Sequence, residues 1–343
     1  MSLTGKKFIT LGIESSCDDT CLAVVNGQDE ILSSLISSQI KSHSKYGGVV
    51  PELASRMHQE AILPLLGQAL GEAGINEPAA DIDLIAVTAG PGLIGSLLVG
   101  VMTAKALSQG WKIPLIGVNH LEGHIFANAA AAKDLKPPFI SVIVSGGHSE
   151  IVHVRDFGEY TLLGSTRDDA AGEAYDKVSK ILGLGYPGGP VIDRLAQNGD
   201  PCAYSLPRPL SGTADIEFSF SGLKTAAVNV INNALKSGTE LNLEDFCASF
   251  QNAVIESLIS KIILAVNKTG VVNVTLSGGV AANSGLRKRL GIISASSGWN
   301  LYMPPAALCT DNAVMIAAAG YNSYHRGNIS DLSLSPDPSW EIW

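Results

Sequence analysis

The sequence predicts a duplicated α/β protein made of two lobes. FITLGIESSCDDTCLAVV (8–25) is expected to form two strands joined by a polar turn, and FISVIVSGGHSEIVHV (139–154) repeats that layout. LIAVTAGPGLIGSLLVGVMTAKAL (84–107) and VNVTLSGGVAANSGLRKRL (272–290) each predict a strand, a glycine loop and a helix. The same order of elements occurs twice, which indicates a structural repeat of an α/β domain.

The lobe boundary is predicted at KDLKPP (133–138). The first lobe is then expected over 1–135 and the second over 136–343, with a helical insert over about 168–270. The insert predicts two helices within 168–196, joined by LGYPGGP, and a third over 244–270. Apolar residues at helical spacing predict a core stripe in the third helix, namely Phe246, Phe250, Val254, Leu258 and Ile262.

The composition is that of a well-packed globular protein, because 46% of the 343 residues are hydrophobic. Five scattered cysteines do not suggest a disulfide framework and favour a reducing compartment. The stretch before the first predicted strand shows no apolar h-region or cleavage site, so a signal peptide is not expected there. Residues 84–104 carry no charge, but AGPG (89–92) divides them into a strand and a helix that are each too short to span a bilayer. The expectation is a soluble, cytoplasmic protein without a membrane segment.

The net charge of −9 argues against nucleic-acid binding by the overall field of the chain. Contact with RNA would therefore need a local basic patch or a basic partner. Arg287, Lys288 and Arg289 are the densest basic cluster, and a solvated helix face explains that triplet equally well.

Four predicted turns carry glycine or small residues directly after a strand: SSCDDT, AGPG, SGGH and SGGVAAN. Glycine lets backbone N–H groups approach an anion closely, and a following helix N-terminus adds its positive dipole end. Two SGG loops at the same place in each of two lobes are expected to face each other across a cleft and hold nucleotide phosphates. None of the four turns matches a P-loop or a dinucleotide-binding fingerprint.

Two acids in SSCDDT, Asp18 and Asp19, are most simply turn formers. An aspartate that points into a phosphate-filled cleft can also hold a cation or orient a nucleophile. Asp176, Gly189 and Asp193 lie near a tight glycine turn, where the acids are either ligands for hydroxyl groups or ordinary loop residues.

HLEGH (120–124) carries two histidines four residues apart. On a helix His120 and His124 share one face and can share a metal, although such pairs also occur as ordinary polar packing. Glu122 is rotated by about 200° from His120, so it cannot act as the general base of a zinc peptidase. Asp311 in CTDNA is a candidate third ligand from the other lobe, and its alternative role is the N-cap of the following helix.

The motifs together resemble the family of tRNA threonylcarbamoyladenosine-synthesis proteins named TsaD, formerly described as sialoglycoprotein endopeptidases. GIESSCDDT, YGGVVPELASRMH, AGPGLIGSLLVG, NHLEGHIFA, VSGGHSE, DDAAGEAYDK, YPGGP, FSFSGLKTA, SGGVAAN and CTDNA follow the order of the family over nearly the whole chain. The resemblance implies RNase H-like lobes of the actin/Hsp70/sugar-kinase (ASKHA) fold with a nucleotide cleft between them.

The resemblance also implies site residues. His120, His124 and Asp311 would bind iron or zinc, and Asp18 would be a catalytic group. The donor adenylate or a nucleotide would contact the residues Ile143, Val144, Ser145, Gly146, Gly147, Asp176, Gly189, Asp193 and Asn283. ATP with Mg²⁺ is a further candidate ligand.

The implied reaction moves a threonylcarbamoyl group from threonylcarbamoyl-adenylate to the exocyclic amine of adenosine 37, in tRNAs that read codons beginning with adenine. The metal and the SGG amides are expected to hold the phosphate, and Asp18 is the candidate general base. Implied partners are the paralogue TsaB and the ATPase TsaE, with a homodimer as a further candidate. Weak tRNA binding by the chain alone, with a steep salt dependence, is expected.

Two other functions are compatible with the predicted fold. One is an ATP-dependent small-molecule kinase, for which no motif marks a hydroxyl-substrate pocket with its own base. The other is a nucleotide-switched scaffold without catalytic activity.

Overall fold

The computed structural model describes residues 7–343. Its strands are β1 (Ile9–Glu14), β2 (Asp19–Asn26), β3 (Glu30–Ser38), β4 (Leu84–Gly90), β5 (Leu115–Asn119), β6 (Phe139–Val144), β7 (Ser149–Asp156), β8 (Glu159–Ser165), β9 (Asn273–Ser277) and β10 (Asn300–Tyr302). Its α-helices are α1 (Ile40–His43), α2 (Pro51–Glu72), α3 (Pro78–Asp81), α4 (Ile94–Trp111), α5 (His120–Ala131), α6 (Ala171–Ile181), α7 (Gly188–Ala196), α8 (Ser221–Ser237), α9 (Leu243–Thr269), α10 (Ser284–Ser297), α11 (Ala306–Cys309) and α12 (Ala313–His325). Short 3₁₀ helices cover Ser44–Tyr46 and Gly279–Ala282.

The strands form two five-stranded sheets of identical topology. The first has the order β3-β2-β1-β4-β5, and the second has the order β10-β9-β6-β7-β8. In each sheet the first three strands along the chain are antiparallel neighbours, and the last two are added in parallel. When the second sheet is read from β8 to β10, every strand has its counterpart in the first. The predicted duplication of an α/β domain is therefore confirmed.

The chain divides into two compact units. The first unit comprises the chain up to Leu135 together with Asp311–Ile342, and the second comprises Lys136–Thr310. The split after Leu135 falls where the sequence predicts a lobe boundary. The prediction that the second lobe runs on to residue 343 is wrong for Asp311–Ile342, because α12 packs on β1, β4 and α5 of the first unit.

Close backbone packing explains why α12 belongs to the first unit. The first eight residues of α12, from Ala313 to Gly320, are all buried. A Cβ on Gly12 of β1 would lie 2.2 Å from the carbonyl oxygen of Ala313, and one on Gly320 would lie 2.4 Å from Ala86 Cβ. The small residues let the helix approach the sheet far more closely than larger side chains would allow.

The core of the second unit is organised around α9. All five residues of the predicted stripe in this helix are buried, which confirms that prediction. Among residues 7–343, α9 is the one helix long and apolar enough to cross a membrane, and 72% of its most apolar window is buried inside the protein. Such burial is typical of the core helix of a globular domain. Residues 84–104, which the sequence marks as an uncharged run, form β4 and most of α4.

The close contact at Gly12 predicts the stability of a variant. Gly12→Ala is expected to lower the free energy of unfolding by about 1–3 kcal/mol, because its methyl group must displace α12. Gly67→Ala is the control, since Gly67 is an exposed residue of α2 with no heavy atom within 4 Å of an added Cβ. That control is expected to raise stability by up to about 1 kcal/mol. Chemical denaturation measures both, and equal stability of the Gly12→Ala variant and the wild type would contradict the packing argument.

Candidate metal centre and nucleotide site

The two histidines of HLEGH lie in the first two turns of α5. The helix begins directly after β5, and the side chain of Asn119 caps it by accepting a hydrogen bond from Leu121 N–H at 2.8 Å. Asn119 also donates through Nδ2 to the carbonyl of Trp340, at 2.9 Å. His120 and His124 are buried, and their ring centroids are 4.7 Å apart. The prediction that both histidines share one face of a helix is confirmed.

The glycine of HLEGH allows α5 to lie against α12. A Cβ on Gly123 would come within 2.7 Å of Ile316 Cδ1 and 3.2 Å of Met315 Cγ. Any larger residue would separate the two helices. This contact sets the distance between the histidines and the segment just before α12, which contains Asp311.

Asp311 lies beside both histidines. Its Oδ1 atom is 3.5 Å from His120 Nε2 and 3.3 Å from His124 Nε2. Two corrections follow. Asp311 belongs to the same compact unit as the histidines rather than to the other lobe. It is also not the N-cap of α12, because Asn312 fills that position and accepts a hydrogen bond from Met315 N–H at 3.0 Å.

These three residues could hold a metal ion, since their ligand atoms lie within 4.8 Å of one another. Two ligand atoms bound at about 2.1 Å to a tetrahedral ion are separated by about 3.4 Å. The observed separations from Asp311 Oδ1 match that value. His124 Nε2 is buried and lies 3.3 Å from Asp311 Oδ1 without the geometry of a hydrogen bond, so an ion between the two atoms would satisfy it. Two histidines and one carboxylate suit iron or zinc and leave coordination positions open for other ligands.

A buried glutamate orients the first of these histidines. Glu14 Oε2 lies 3.1 Å from His120 Nδ1, and the same oxygen accepts a hydrogen bond from Thr88 Oγ1 at 2.5 Å. The other oxygen of Glu14 accepts from Ser16 N–H at 2.5 Å. With Nδ1 held by the carboxylate, the Nε2 atom of His120 faces Asp311. This carboxylate–histidine arrangement is the usual support of a metal-binding imidazole.

The charges around the histidines are balanced by these contacts. Burial lowers the pKa of His120, but the carboxylates of Glu14 and Asp311 outweigh it and raise the pKa to about 9 in the protein without metal. The attraction of His120 also keeps the pKa of Glu14 below its usual value despite burial. Burial lowers the pKa of His124, so its imidazole is neutral at pH 7, as a metal ligand must be.

Glu122 points away from the candidate metal site. Its carboxylate forms an ion pair with Arg326 at the end of α12, at 3.4 Å. The helical geometry predicted from the sequence is confirmed here, and no carboxylate of α5 is available to a metal-bound water.

The acid turn, Ser15–Asp18, connects β1 and β2 and is fastened by two helices. His58 of α2 contacts the carbonyl of Cys17 through Nε2 at 3.0 Å and Thr20 Oγ1 through Nδ1 at 2.7 Å. Ser96 of α4 donates to the same carbonyl at 3.2 Å. SRMH (55–58), which contains His58, and GLIGS (92–96), which contains Ser96, therefore hold the backbone of the acid turn in place.

The two aspartates that follow Cys17 are partly buried and have perturbed acidity. Burial raises the pKa of Asp18, and the nearby charge of Asp311 raises it further, while the Cys17 thiol and His43 oppose the shift. Burial, with the charges of Asp18 and Asp311, raises the pKa of Asp19 to about 6. The Oδ1 atom of Asp19 is buried without a hydrogen-bond partner. Asp18 is therefore a carboxyl group next to the candidate metal site with raised basicity.

The two SGG loops both lie in the second unit, which corrects the expectation of one loop in each lobe. β6 and β9 are parallel neighbours, and the loops 145–147 and 277–279 begin at their carboxyl ends. A Cβ on Gly278 would lie 2.3 Å from the carbonyl oxygen of Val144, so the two turns touch. The N-terminus of α6 joins them, because Gly172 N–H donates to Ser145 O at 3.1 Å. Ligands of open α/β sheets bind at this edge.

Several glycines around this edge border open space. A Cβ added to Gly146, Gly147, Gly189 or Gly279 would meet no heavy atom within 4 Å. The AGPG loop differs, because Gly92 N–H donates to Pro338 O and Leu93 N–H donates to Ser16 O. Of the four glycine or small-residue turns, the two SGG turns thus retain space for a phosphate, whereas two AGPG-loop amides are bound within the protein.

The other predicted contact residues are distributed along the same unit. Ile143 and Val144 are the last residues of β6 and are buried, next to Ser145. Asp176 Oδ1 accepts from Gly188 N–H at 2.7 Å, which places it beside Gly189 at the start of α7.

Asp193 and Asn283 belong to a separate hydrogen-bonded group. Asp193 accepts hydrogen bonds from Gln251 Nε2 at 3.0 Å and from Ser284 N–H at 3.0 Å. Asn283 caps α10 and donates to Gln251 Oε1 at 2.6 Å. Both side chains hold the second SGG loop against α7 and α9, whatever else they bind.

Four residues of the sites were not identified from the sequence: Glu14, His58, Gly123 and Asn312. Glu14 is a charged residue within an otherwise apolar strand, and Asn312 follows the rule that asparagine favours helix N-caps. Those two signals were available in the sequence. The roles of His58 and Gly123 depend on which elements pack together, so no local pattern indicates them.

The contact between Glu14 and His120 leads to a prediction for the metal affinity of the site. Glu14→Gln removes the negative charge and sets an NH₂ group against a backbone or hydroxyl donor, so a 10- to 100-fold weaker affinity for Zn²⁺ or Fe²⁺ is expected. Glu122→Gln is the control, because Glu122 lies on the same helix but pairs with Arg326. Metal analysis of the purified proteins and titration of the apoproteins measure the effect. Equal affinity of the Glu14→Gln variant and the wild type would contradict the orienting role.

Asp19 predicts a pH-dependent gain of stability in chelator-treated protein. Its pKa rises from 3.8 in the unfolded chain to about 6 in the folded protein. The buried charge therefore lowers the free energy of unfolding fully above pH 6, whereas below pH 3.8 the group is protonated in both states and has no such effect. Asp19→Asn is therefore expected to raise the free energy of unfolding by about 1–3 kcal/mol at pH 8 and to leave it unchanged below pH 4. Exposed Glu60→Gln is the charge-matched control. The same change in stability at both pH values would exclude this explanation.

Comparison with known proteins assigns the chain to a family. The family model described as "TsaD: tRNA N6-adenosine threonylcarbamoyltransferase" matches residues 30–318. The tRNA N6-adenosine threonylcarbamoyltransferase of Clostridioides difficile (strain 630) is 52% identical over 334 residues, which cover 97% of this chain and 98% of that protein.

Solved structures show the same fold at low sequence identity. Full-length HypF in its phosphate- and nucleotide-bound form has a TM-score of 0.59 and 14% identity, over 94% of this chain and 47% of that one. The activator of the 2-hydroxyisocaproyl-CoA dehydratase from Clostridium difficile with bound ADPNP has a TM-score of 0.53 and 16% identity, over 94% and 100%. The duplicated RNase H-like fold of the actin/Hsp70/sugar-kinase class is thus shared with both. By its sequence over nearly the full length, the chain belongs to the TsaD family of tRNA N6-adenosine threonylcarbamoyltransferases.

Proposed function

We propose that this transferase moves the threonylcarbamoyl group of threonylcarbamoyl-adenylate to the exocyclic amine of adenosine 37 in tRNAs that read codons beginning with adenine. The observation that carries the proposal is the grouping of His120, His124 and Asp311, whose ligand atoms lie within 4.8 Å of one another in the same compact unit as Asp18 of the acid turn. A base and an electrophilic centre are the two groups that acyl transfer to a weakly basic amine requires. No observation favours a kinase or a scaffold.

His120, His124 and Asp311 are proposed to bind one divalent metal ion, iron or zinc, with the imidazole of His120 oriented by Glu14. When bound, the ion supplies positive charge that stabilises the phosphate of the leaving group. The spacing of 3.3 Å and 3.5 Å between the ligand atoms supports this assignment. The burial of His124 Nε2 beside Asp311, without a hydrogen bond between the two atoms, also supports it.

The adenylate moiety, or ATP with Mg²⁺, is proposed to bind at the carboxyl edge of β6 and β9. The predicted contacts there are Ile143–Gly147, Asp176, Gly189, Asp193 and Asn283. The open space beside Gly146, Gly147 and Gly189 supports approach of a phosphate or a ribose to the backbone. Asp193 and Asn283 are engaged with Ser284 and Gln251, so they are proposed to act mainly by holding the loop.

In the reaction the amine nitrogen of adenosine attacks the carbamoyl carbon of the donor. A new N–C bond forms, the bond from that carbon to the phosphate oxygen breaks, and AMP leaves. The proton lost by the amine goes to the carboxylate of Asp18, which is proposed as the general base. An exocyclic adenine amine becomes acidic only late in the attack, and a carboxylate of raised pKa can accept its proton at that stage.

Partner proteins are proposed to assist tRNA binding, since the chain carries a net charge of −9. The paralogue TsaB and the ATPase TsaE are the candidates, and a homodimer is the alternative.

An exposed apolar stripe on α4 offers a protein-binding surface: Ile94, Leu98 and Met102 are 53%, 47% and 53% exposed and share one helix face. The proposed setting is the cytoplasm. If the chain alone binds tRNA as tightly as the mixture with both partners does, the proposal that partners assist tRNA binding is contradicted.

The function is tested by mass spectrometry of tRNA nucleosides. Depletion of the protein is expected to remove threonylcarbamoyl-adenosine from cellular tRNA, and re-expression is expected to restore it. His120→Ala is expected to fail to restore the nucleoside, whereas Glu122→Gln is expected to restore it fully. Asp18→Asn is expected to slow transfer in vitro about 100-fold or more, with its metal content unchanged.

Each outcome bears on a different part of the proposal. An unchanged level of the nucleoside after depletion would refute the transferase function in these cells. A rate for Asp18→Asn close to that of the wild type would refute only the assignment of the base. Full metal retention in both His120→Ala and Asp311→Ala would remove the metal site.

A further inference from the structure

A basic and aromatic segment lies directly beside the acid turn in the first unit. We name residues 39–48, QIKSHSKYGG, the lysine–tyrosine segment. It comprises α1 and the 3₁₀ helix Ser44–Tyr46. Lys41, Lys45 and Tyr46 are exposed, with 62% of the Tyr46 side chain accessible to solvent. The described structure therefore presents two cations and one aromatic ring to solvent within six residues.

The base of the segment is fixed to the acid turn. Gln39 N–H donates to the carbonyl of Asp18 at 3.2 Å. The buried imidazole of His43 contacts Gln39 Oε1 through Nε2 at 3.0 Å and accepts from Val50 N–H through Nδ1 at 3.2 Å. Gly47, with φ of 71°, ends the 3₁₀ helix and turns the chain back toward Val50. The exposed tip is thus presented on a buried support rather than on a long loop.

The charge pattern around the segment differs from that of the whole chain. No acidic residue occurs between Glu30 and Glu52, although the chain has 32 acids and 23 lysines and arginines. Among residues 7–343, neither Lys41 nor Lys45 forms an ion pair. Two other surface lysines are neutralised by acids: Lys133 pairs with Asp29, and Lys177 pairs with Glu173 at 2.6 Å.

The basic triplet in α10 is a weaker candidate for contact with RNA. Arg287 donates to the carbonyls of Ala281 and Pro304, at 3.2 Å and 3.1 Å. Arg289 forms an ion pair with Glu256 at 3.0 Å. These contacts leave Lys288 as the one exposed side chain of the triplet.

Resting on the proposed function, we infer that the lysine–tyrosine segment binds the single-stranded loop of the tRNA substrate next to the target adenosine. Lys41 and Lys45 contact backbone phosphates, and the ring of Tyr46 stacks on a base near the target. Lysine–phosphate contacts and aromatic stacking are the two interactions by which proteins bind single-stranded nucleic acid. When the target base leaves the stack of bases, the neighbouring bases lose a stacking partner. The ring of Tyr46 can take the place of that partner.

The dimensions of the segment fit this role. Four α-helical and three 3₁₀-helical residues extend over about 12 Å, from Gln39 at the acid turn to Tyr46 at the tip. At about 3.4 Å per nucleotide, that length corresponds to three or four stacked nucleotides. If one nucleotide stacks on Tyr46, the target adenosine can lie three or four nucleotides away in the same loop, next to Asp18.

The test compares tRNA binding by full-length variants at several salt concentrations. The double variant Lys41→Glu, Lys45→Glu is expected to raise the Kd for tRNA about 10-fold or more at 0.15 M salt. Its salt dependence is expected to be shallower by about 1.4 to 1.8 in the logarithmic slope. Tyr46→Ala is expected to raise the Kd about 5- to 100-fold, and Tyr46→Phe is expected to bind as the wild type does.

The matched control is the double variant Lys236→Glu, Lys288→Glu, which makes the same charge change at exposed lysines of α8 and α10. It is expected to bind tRNA within about 2-fold of the wild type. For the lysine–tyrosine variants, metal content and the transfer rate at saturating tRNA are expected to stay close to wild type, so that the loss falls on the KM for tRNA. A retained rate also shows that these variants fold.

The outcomes separate this inference from the proposed function. If the wild type with its partners forms no threonylcarbamoyl-adenosine, the proposed function fails regardless of the variants. If the wild type is active and Lys41→Glu, Lys45→Glu binds tRNA with wild-type affinity, the inference is overturned. An equal loss of affinity in the control pair would also overturn it, because the effect would then reflect net charge alone.

Discussion

The close contact between α5 and α12 is the constraint on which the candidate metal site depends. Gly123 lets the two helices approach, and Gly12 and Gly320 let α12 lie directly on the first sheet. That packing brings a segment almost two hundred residues downstream of α5 to within 3.5 Å of both histidines. Helical spacing alone provides two nitrogen ligands on one face, and only the packing of α12 adds the oxygen.

Buried charge is the second organising feature of the first unit. Glu14, Asp18, Asp19 and Asp311 interact electrostatically, and the attraction of His120 for Glu14 and of His43 for Asp18 opposes their mutual repulsion. Such a surplus of negative charge disfavours the folded protein without a ligand and favours a bound cation. Burial, reinforced by the charge of Asp311, raises the pKa of Asp18, which suits a proton acceptor. Asp311 thus contributes both to the candidate metal site and to the basicity of the acid turn.

Much of the fold was predictable from local patterns. Strand–turn–strand and strand–glycine–helix motifs indicated the duplicated α/β topology, and HLEGH lies on a helix, as the spacing of its histidines suggested. The third strand of each sheet, β3 and β8, was not predicted. The expectation that the two SGG loops occupy equivalent places in the two lobes was wrong, because β6 and β9 are parallel neighbours in one sheet and the order of motifs along the chain does not reveal this. The basic triplet of α10 was prominent in the sequence, but its arginines bind within the protein.

The sequence by itself determined the histidine pair, the exclusion of Glu122 from their face, the glycine turns and membership of the family, since these depend on residues near one another in the chain or on motif order. Tertiary structure decided that Asp311 lies in the same unit as the histidines, that Asn312 rather than Asp311 caps α12, and that Glu14 holds His120. It also decided that Gln39, at the base of the lysine–tyrosine segment, bonds to the acid turn. Each of these depends on contacts between distant segments, which packing and burial select and which no local periodicity encodes.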